Sequence, residues 1–133
     1  ALDLPLWEAV CLHGKAQVFI VTGQLADARE ALQKARSVYK QYGVLGPLSD
    51  ALLDSGWMEK FYANFEESLT YFSEAQTLSS KMGYELMSAL TDMHRAEVHV
   101  ALGRYQYALA SLEKAEEALG EEGKKLLDSI MPK

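Results

Sequence analysis

The sequence predicts an all-α fold, a solenoid of three helix-turn-helix repeats followed by a short C-terminal helix. Three observations support this prediction. Apolar and small residues recur with the period of an α-helix, most clearly after Gly103. The same pattern returns when the chain is shifted by 40 residues, which indicates a repeat architecture. No segment alternates with a period of two over a length that would form a strand.

Four sets of aligned positions define the repeat. They mark the start of each second helix, two positions in its middle, and a glycine beyond its end. The sets are Leu25, Phe65 and Tyr105; Leu32, Phe72 and Leu112; Ala35, Ala75 and Ala115; and Gly43, Gly83 and Gly123. One helix pair cannot bury its apolar face alone, whereas stacked pairs cover each other. Residues 1–133 are therefore expected to form a single domain.

The first repeat spans about residues 4–43. Its first helix, about 4–22, is apolar on more than one face, and Gly23 ends it. The second helix is expected at 24–42, and a turn at 43–47 is marked by Gly46 and Pro47. Cys11 has apolar neighbours in the sequence, which predicts an inert core cysteine rather than a nucleophile.

The second repeat spans about 44–83, and its second helix is expected to begin after Asn64, a good N-cap residue. The third repeat, about 84–123, has predicted helices at 84–102 and 105–119, with Gly123 as its end. In the tail, Leu126 and Leu127 match Leu86 and Met87 after the 40-residue shift. Residues 124–131 are therefore predicted to form either a short cap helix or the start of a fourth repeat.

Side-chain size indicates how the helices pack. Ala28, Ala35 and Ala75 are small where helices must approach closely. Phe72 and Tyr105 are expected to fill the space between helix pairs. These stripes are interpreted as core rather than as a site.

Composition narrows the choice of partners and compartment. A net charge of −6 disfavours a nucleic acid or an anionic membrane as the partner. No stretch approaches the roughly 20 apolar residues that span a bilayer, and no signal peptide is visible. A lone cysteine is compatible with a reducing compartment, so a cytoplasmic location is expected, with a nuclear one as the alternative. Because the chain begins at Ala1, it is interpreted as a processed product or an excised domain.

The aligned residues resemble the tetratricopeptide repeat. That family places a glycine and a large residue between its helices, then alternating small and large residues down the second helix. The matching residues are Gly23, Leu25, Ala28, Leu32 and Ala35; Ala63, Phe65, Ser68, Phe72 and Ala75; and Gly103, Tyr105, Ala108, Leu112 and Ala115. The resemblance covers about residues 4–131 and implies a right-handed superhelical solenoid.

This chain also departs from the family pattern. Asp92 occupies a position where the family has a large residue, and the closing proline is replaced by Lys40, Ser80 and Gly120. The period is 40 residues rather than the usual 34. Such long repeats are similar to those of maltose-activator-type bacterial regulators and spindle-orientation adaptors.

The resemblance implies a ligand groove, because the first helices of this family line the concave surface. The implied groove residues are Val10, His13, Gln17 and Ile20 in the first repeat; Asp50, Leu53, Trp57, Lys60 and Phe61 in the second; and Leu90, Met93, Glu97 and Val100 in the third. Exposed aromatic and methionine side chains suit an amphipathic helix or an extended apolar peptide. The alternative is that Trp57 and Phe61 pack against neighbouring helices.

No catalytic motif is recognisable, so the chain is predicted to be neither an enzyme nor a cofactor-binding protein. His94 and Glu97 share a helix face, with Asp92 and His99 nearby. A solvated polar face explains them better than a metal site, because His13 is the one other imidazole in the chain.

Two functional hypotheses remain. The first is a scaffold that holds a peptide or helix of a partner protein in the groove. The second is a self-associating or structural segment of a larger solenoid, such as the sensor or assembly region of a regulator. Leu4, Leu6 and Trp7 favour the second, because the terminal repeat of a solenoid usually needs a polar outer face.

Overall fold

The computed structural model describes residues 5–130, without the side chains of Leu126, Leu127 and Ile130, and within this range it contains helices and no strands. Six helices follow one another along the chain. They are α1 (Leu6–Val21), α2 (Leu25–Tyr42), α3 (Leu45–Phe61), α4 (Phe65–Lys81), α5 (Glu85–Ala101) and α6 (Tyr105–Ile130). Each helix packs against the next, and α3 also contacts both α1 and α5. The predicted all-α repeat solenoid is thereby confirmed.

All five turns between helices have the same backbone form. The residues Gly23, Gly43, Gly83 and Gly103 take positive φ angles, and Ala63 takes the same place with φ 64°. In each turn the next residue donates its N–H to a carbonyl five residues back, as Gln24 does to Phe19 at 2.8 Å. This is the Schellman motif, which satisfies carbonyl groups that a helix end would otherwise leave unpaired.

The turn predicted at 43–47 was wrong. Gly43 and Val44 alone make the turn, and α3 already begins at Leu45. Pro47 therefore lies in the first turn of α3, where its missing N–H would have had no partner within the helix. Asn64 does precede α4 as predicted, but its side chain makes no capping bond and donates instead to Glu59 at 3.3 Å.

The predicted end at Gly123 and the separate C-terminal helix were also wrong. Helix α6 continues for 26 residues, through Gly120 and Gly123, to Ile130. A glycine inside a helix costs only about 1 kcal/mol relative to alanine. The glutamates and lysines around Gly123 are good helix formers, so the helix runs past it.

The core lies between the helix pairs, and its largest fully buried side chains lie on α2 to α4. Ala28, Ala35 and Ala75 are fully buried, as predicted. Phe72 is also fully buried, and its ring lies so close to Gly56 that a Cβ there would come within 2.6 Å of it. Gly56 is therefore the small residue that lets the second helix pair close around an aromatic ring.

Predictions of burial failed on the two end helices. Tyr105 does not fill a space between pairs, because it is 64% exposed on α6. Cys11 is not a core residue, because it is exposed on α1. Among the described residues, α6 contacts α5 alone, and α1 contacts helices that follow it and none that precedes it. Residues on the outer faces of these two helices therefore stay in contact with solvent.

Each junction between repeats carries its own polar contacts. At the first junction, Arg29 Nη2 of α2 lies 2.6 Å from Glu59 Oε1 of α3. At the second, Gln76 of α4 donates to Ser88 at 2.7 Å and to Asp92 at 3.4 Å. Asp92 also pairs with Arg95, which explains how a carboxylate is held at a position where the other repeats have Leu12 and Leu52.

Candidate functional site

The candidate site is the surface formed by the first helices of the three repeats. On α3, Asp50, Leu53, Trp57 and Lys60 recur at intervals of three or four residues, so they share one face. On α5, Leu90, Met93, Glu97 and Val100 do the same. Lys60 Nζ joins the two faces, at 2.7 Å from Glu97 Oε2 and 3.2 Å from His94 Nδ1. The second and third predicted sets therefore lie side by side; we call this surface the groove.

The centre of the groove is an exposed aromatic pair. The rings of Trp57 and Phe61 are stacked, with centroids 5.7 Å apart and planes at 20°. Phe61 is 66% exposed and Trp57 is 37% exposed. Across on α5, Leu90, Met93 and Val100 also expose large parts of their side chains. Five large apolar side chains are therefore open to solvent on two adjacent helices.

The first repeat contributes less to the groove than expected. The side chain of His13 is 12% exposed, and its ring contacts Asp54 Oδ2 at 2.7 Å and the Tyr39 hydroxyl at 3.3 Å. Gln17 donates to the same Asp54 oxygen at 3.1 Å. Ile20 is buried in the core, so its assignment to the groove was wrong. Val10 stays exposed on α1.

Asp54 was missed by the sequence reasoning, although it joins α1 to α3. A signal existed in the repeat itself, because Asp54 and His94 occupy the same position 40 residues apart. Both face the preceding first helix and both accept a contact from it. A polar residue at the same position of two repeats therefore predicts a contact with the preceding first helix, as the repeated apolar positions predict the core.

His94 is held by packing and by charge. Its ring stacks on Phe72, with centroids 5.5 Å apart and planes at 11°. Burial lowers the pKa of His94, the ammonium of Lys60 lowers it further, and Glu97 opposes the change. His94 and Glu97 therefore have a common partner, which is the ammonium group of Lys60. Among the described residues, no cluster of three histidine, cysteine or acidic side chains could hold a metal ion.

The part of the groove nearest α1 is acidic. Burial raises the pKa of Asp50, His13 lowers it, and the neighbouring carboxylate of Asp54 raises it again. Two carboxyl groups therefore lie one helical turn apart on α3. At the other end, the charge of Glu97 is balanced by Lys60.

The residues predicted for self-association are Leu4, Leu6 and Trp7. Leu4 lies outside the described residues. Leu6 is half-buried and packs against the core. Trp7 is 65% exposed on α1.

The chain matches no protein-family model, and no curated protein matches it at a significant level. Over the described part of the chain, none of the helices combines the length and the apolar character that a membrane span requires.

Proposed function

We propose that this chain is a non-enzymatic binding module of the tetratricopeptide type, which holds a peptide or helix of another protein in the groove. The observation that supports the proposal is the exposed Trp57–Phe61 stack beside Leu90, Met93 and Val100. Large apolar side chains gathered on one exposed surface are typical of interaction sites, and tryptophan is a frequent energetic anchor there.

Charge and shape suggest the chemistry of the partner segment. Its apolar residues would cover Trp57, Phe61 and Met93, in the manner of an amphipathic helix laid in a groove. A basic residue at one end of the segment would meet the exposed carboxylate of Asp50, because complementary charge sets orientation and favours the correct partner. Lys60 and Glu97 already pair with each other, so they would border the apolar centre rather than attract a charge.

Selection from a displayed library of random peptides on the intact chain tests the proposal. We expect enriched peptides to combine apolar residues at helical spacing with a basic residue at one end. Trp57→Ala and Phe61→Ala should each weaken binding of a selected peptide about tenfold, equivalent to about 1.4 kcal/mol, in calorimetric titration. Phe61 is 66% exposed, so its removal should change melting little, whereas Trp57 is 37% exposed and its removal should lower the melting temperature without loss of helix content.

Trp7→Ala is the matched control, because Trp7 is the other tryptophan and is exposed on α1. It should leave peptide affinity unchanged. Peptides that bind Trp57→Ala and wild type equally well would show that the groove is not the binding site. Loss of helix content in Trp57→Ala would show instead that Trp57 is a core residue.

The second hypothesis from the sequence, a self-associating or structural segment of a larger solenoid, concerns Leu4, Leu6 and Trp7. None of these three residues belongs to the predicted groove set, so the two hypotheses are compatible.

A further inference from the structure

The outer face of α1 is the exposed copy of a surface that is buried in the other repeats. Cys11, Lys15 and Val18 lie along this face and are exposed. The residues 40 positions later are Ala51, Ser55 and Met58, and all three are buried. Ser55 accepts a hydrogen bond at 2.6 Å from Arg36 of the preceding repeat, so this surface of α3 faces backwards along the solenoid. Within residues 5–130, no helix covers the same surface of α1.

The outer face of α6 shows the reverse situation. Leu112 is 44% exposed, whereas its copies Leu32 and Phe72 are both fully buried. Phe72 packs against His94 of the following repeat, which shows what such a position contacts inside the solenoid. Leu109, three residues before Leu112, is also exposed. Within residues 5–130, no helix follows α6 to cover this face as α3 covers α2 and α5 covers α4.

The two open faces complement each other at the positions that form junctions inside the molecule. The internal pair Arg29–Glu59 corresponds to Leu109 on α6 and Phe19 on α1, which are both apolar. The internal pair Arg36–Ser55 corresponds to Glu116 on α6 and Lys15 on α1, which carry opposite charges. In each case both residues differ from those of the internal pair. The two new residues nevertheless suit each other, one pair being apolar and the other oppositely charged.

Packing of α6 against α6 of a second copy is disfavoured. The exposed side of this helix carries Glu113, Glu116 and Glu117, and an identical surface would bring like charges together. The face of α1 offers Lys15 and apolar side chains instead.

We propose that α6 of one copy docks against α1 of a second copy, so that the solenoid continues from molecule to molecule. Such a contact joins two different surfaces, so it does not close on itself and adds copies in a row. The proposal does not depend on the groove, because neither Trp57 nor Phe61 takes part.

Blocking each face separately tests this arrangement. Leu112→Glu places a charge on the α6 face, and Val18→Glu places one on the α1 face; both sites are exposed, so circular dichroism should show an unchanged fold. In sedimentation velocity, wild type should grow beyond dimers as its concentration rises. Each variant alone should remain monomeric, because every junction needs both faces.

An equimolar mixture of the two variants provides the decisive measurement. The free α1 face of Leu112→Glu can meet the free α6 face of Val18→Glu, so the mixture should form dimers and nothing larger. A mixture that stays monomeric would overturn the proposal, as would wild type that remains a monomer up to millimolar concentration. Assembly of either variant alone as strongly as wild type would overturn it too.

A charge exchange tests the matched pair directly. Lys15→Glu and Glu116→Lys should each weaken assembly about tenfold, whereas the double variant should restore it because every junction again joins opposite charges. Equal weakening in the double variant would exclude the Lys15–Glu116 contact.

Discussion

At the scale of single residues, the carboxylate of Glu59 is the clearest case of a buried charge with an assigned partner. Its side chain is 4% exposed, and Arg29 reaches it from the neighbouring repeat. Burial opposes ionisation of Glu59, but the hydrogen bonds from Arg29 and Asn64 and the positive charge of Arg29 outweigh it, so the pKa of Glu59 is lowered. The charge is therefore stable only while the first two repeats remain in contact.

Arg29→Ala should destabilise the protein by about 2 kcal/mol, because it leaves Glu59 buried without its partner. The estimate lies below the usual cost of breaking a buried pair, since Arg29 itself is 43% exposed. Urea unfolding measures this change. Arg29→Ala combined with Glu59→Gln should cost less than the sum of the two single changes.

The pair Arg104–Glu66 provides the control for this experiment. Its side chains are 40% and 68% exposed, so Arg104→Ala should change stability by less than about 0.5 kcal/mol. Equal effects of Arg29→Ala and Arg104→Ala would show that burial of Glu59 does not matter.

His94 and His99 should make stability depend on pH near neutrality. Burial lowers the pKa of both; Lys60 adds to this at His94, and Arg95 and Arg104 add to it at His99, while Glu97 and Glu66 oppose it. The unfolded chain, with histidine pKa values near 6.5, then binds protons that the folded chain does not. The free energy of unfolding should therefore fall as the pH drops below about 6.5.

Urea midpoints at pH 7.5 and pH 5.5 measure this dependence. The variant His94→Gln with His99→Gln should show a smaller difference between the two pH values than wild type. An unchanged difference would assign the dependence to other groups. Protonation of Glu59 does not interfere, because its lowered pKa places that loss of stability below pH 4.5.

At the scale of helices and turns, Ala63 stands where the other four turns have glycine. Four turns place glycine at the left-handed residue, and the turn between α3 and α4 places Ala63 there. This conformation costs a residue with a Cβ roughly 1–2 kcal/mol. The turn keeps the same hydrogen bonds, with Asn64 N–H 2.8 Å from the Glu59 carbonyl, so the strain is held by the packing of the helices around it.

Ala63→Gly should stabilise the protein by about 1 kcal/mol, because it relieves this conformation. The opposite change at the equivalent turn, Gly103→Ala, should destabilise it by a similar amount, since Gly103 has φ 74°. Thermal melting of the two variants measures both effects. Two shifts of the same sign would contradict the assignment of strain to Ala63.

The glycines also show how far helix boundaries can be predicted from the sequence. Gly23, Gly43, Gly83 and Gly103 were correctly expected at helix ends, because each follows a stripe of apolar and small residues at helical spacing. Gly123 follows a stripe as well, yet it lies within α6. The difference is that the four correct cases lead into another helix that packs back on the solenoid, and this tertiary contact is invisible in the local sequence.

At the scale of the whole molecule, nearly all helix contacts join neighbours along the chain. Stability in such an arrangement is close to a sum of repeat and junction contributions, and repeats at the ends lack one junction. The largest fully buried side chains, including Tyr39, Phe72, Leu32 and Leu52, lie on α2 to α4. The centre of the solenoid therefore holds most of the core.

Amide hydrogen exchange should reflect this distribution. Protection should be greatest in α2, α3 and α4 and weaker in α1 and in the last turns of α6, because end helices open without unfolding the rest. Mass spectrometry of exchanging samples at low protein concentration measures the gradient. Uniform protection across all six helices would indicate a single cooperative unit instead.

The sequence carried more information about the fold than about the candidate site. Repeating apolar positions were enough to predict the helix pairs, because burial of those residues is what stacking requires. His13 and Ile20 were assigned to the groove by position alone, but one is engaged with Asp54 and the other is buried. Side-chain partners across a junction depend on the angle between repeats, which the pattern does not contain.

The different polar contacts at the two junctions have a consequence for folding. Three similar repeats could pair in the wrong order while the chain folds, for example by placing α4 where α2 belongs. Leu69 would then face Glu59 in place of Arg29, leaving a buried carboxylate without a cation. Because each junction has different polar contacts, repeats that pair in the wrong order are unstable, even though their apolar stripes are interchangeable.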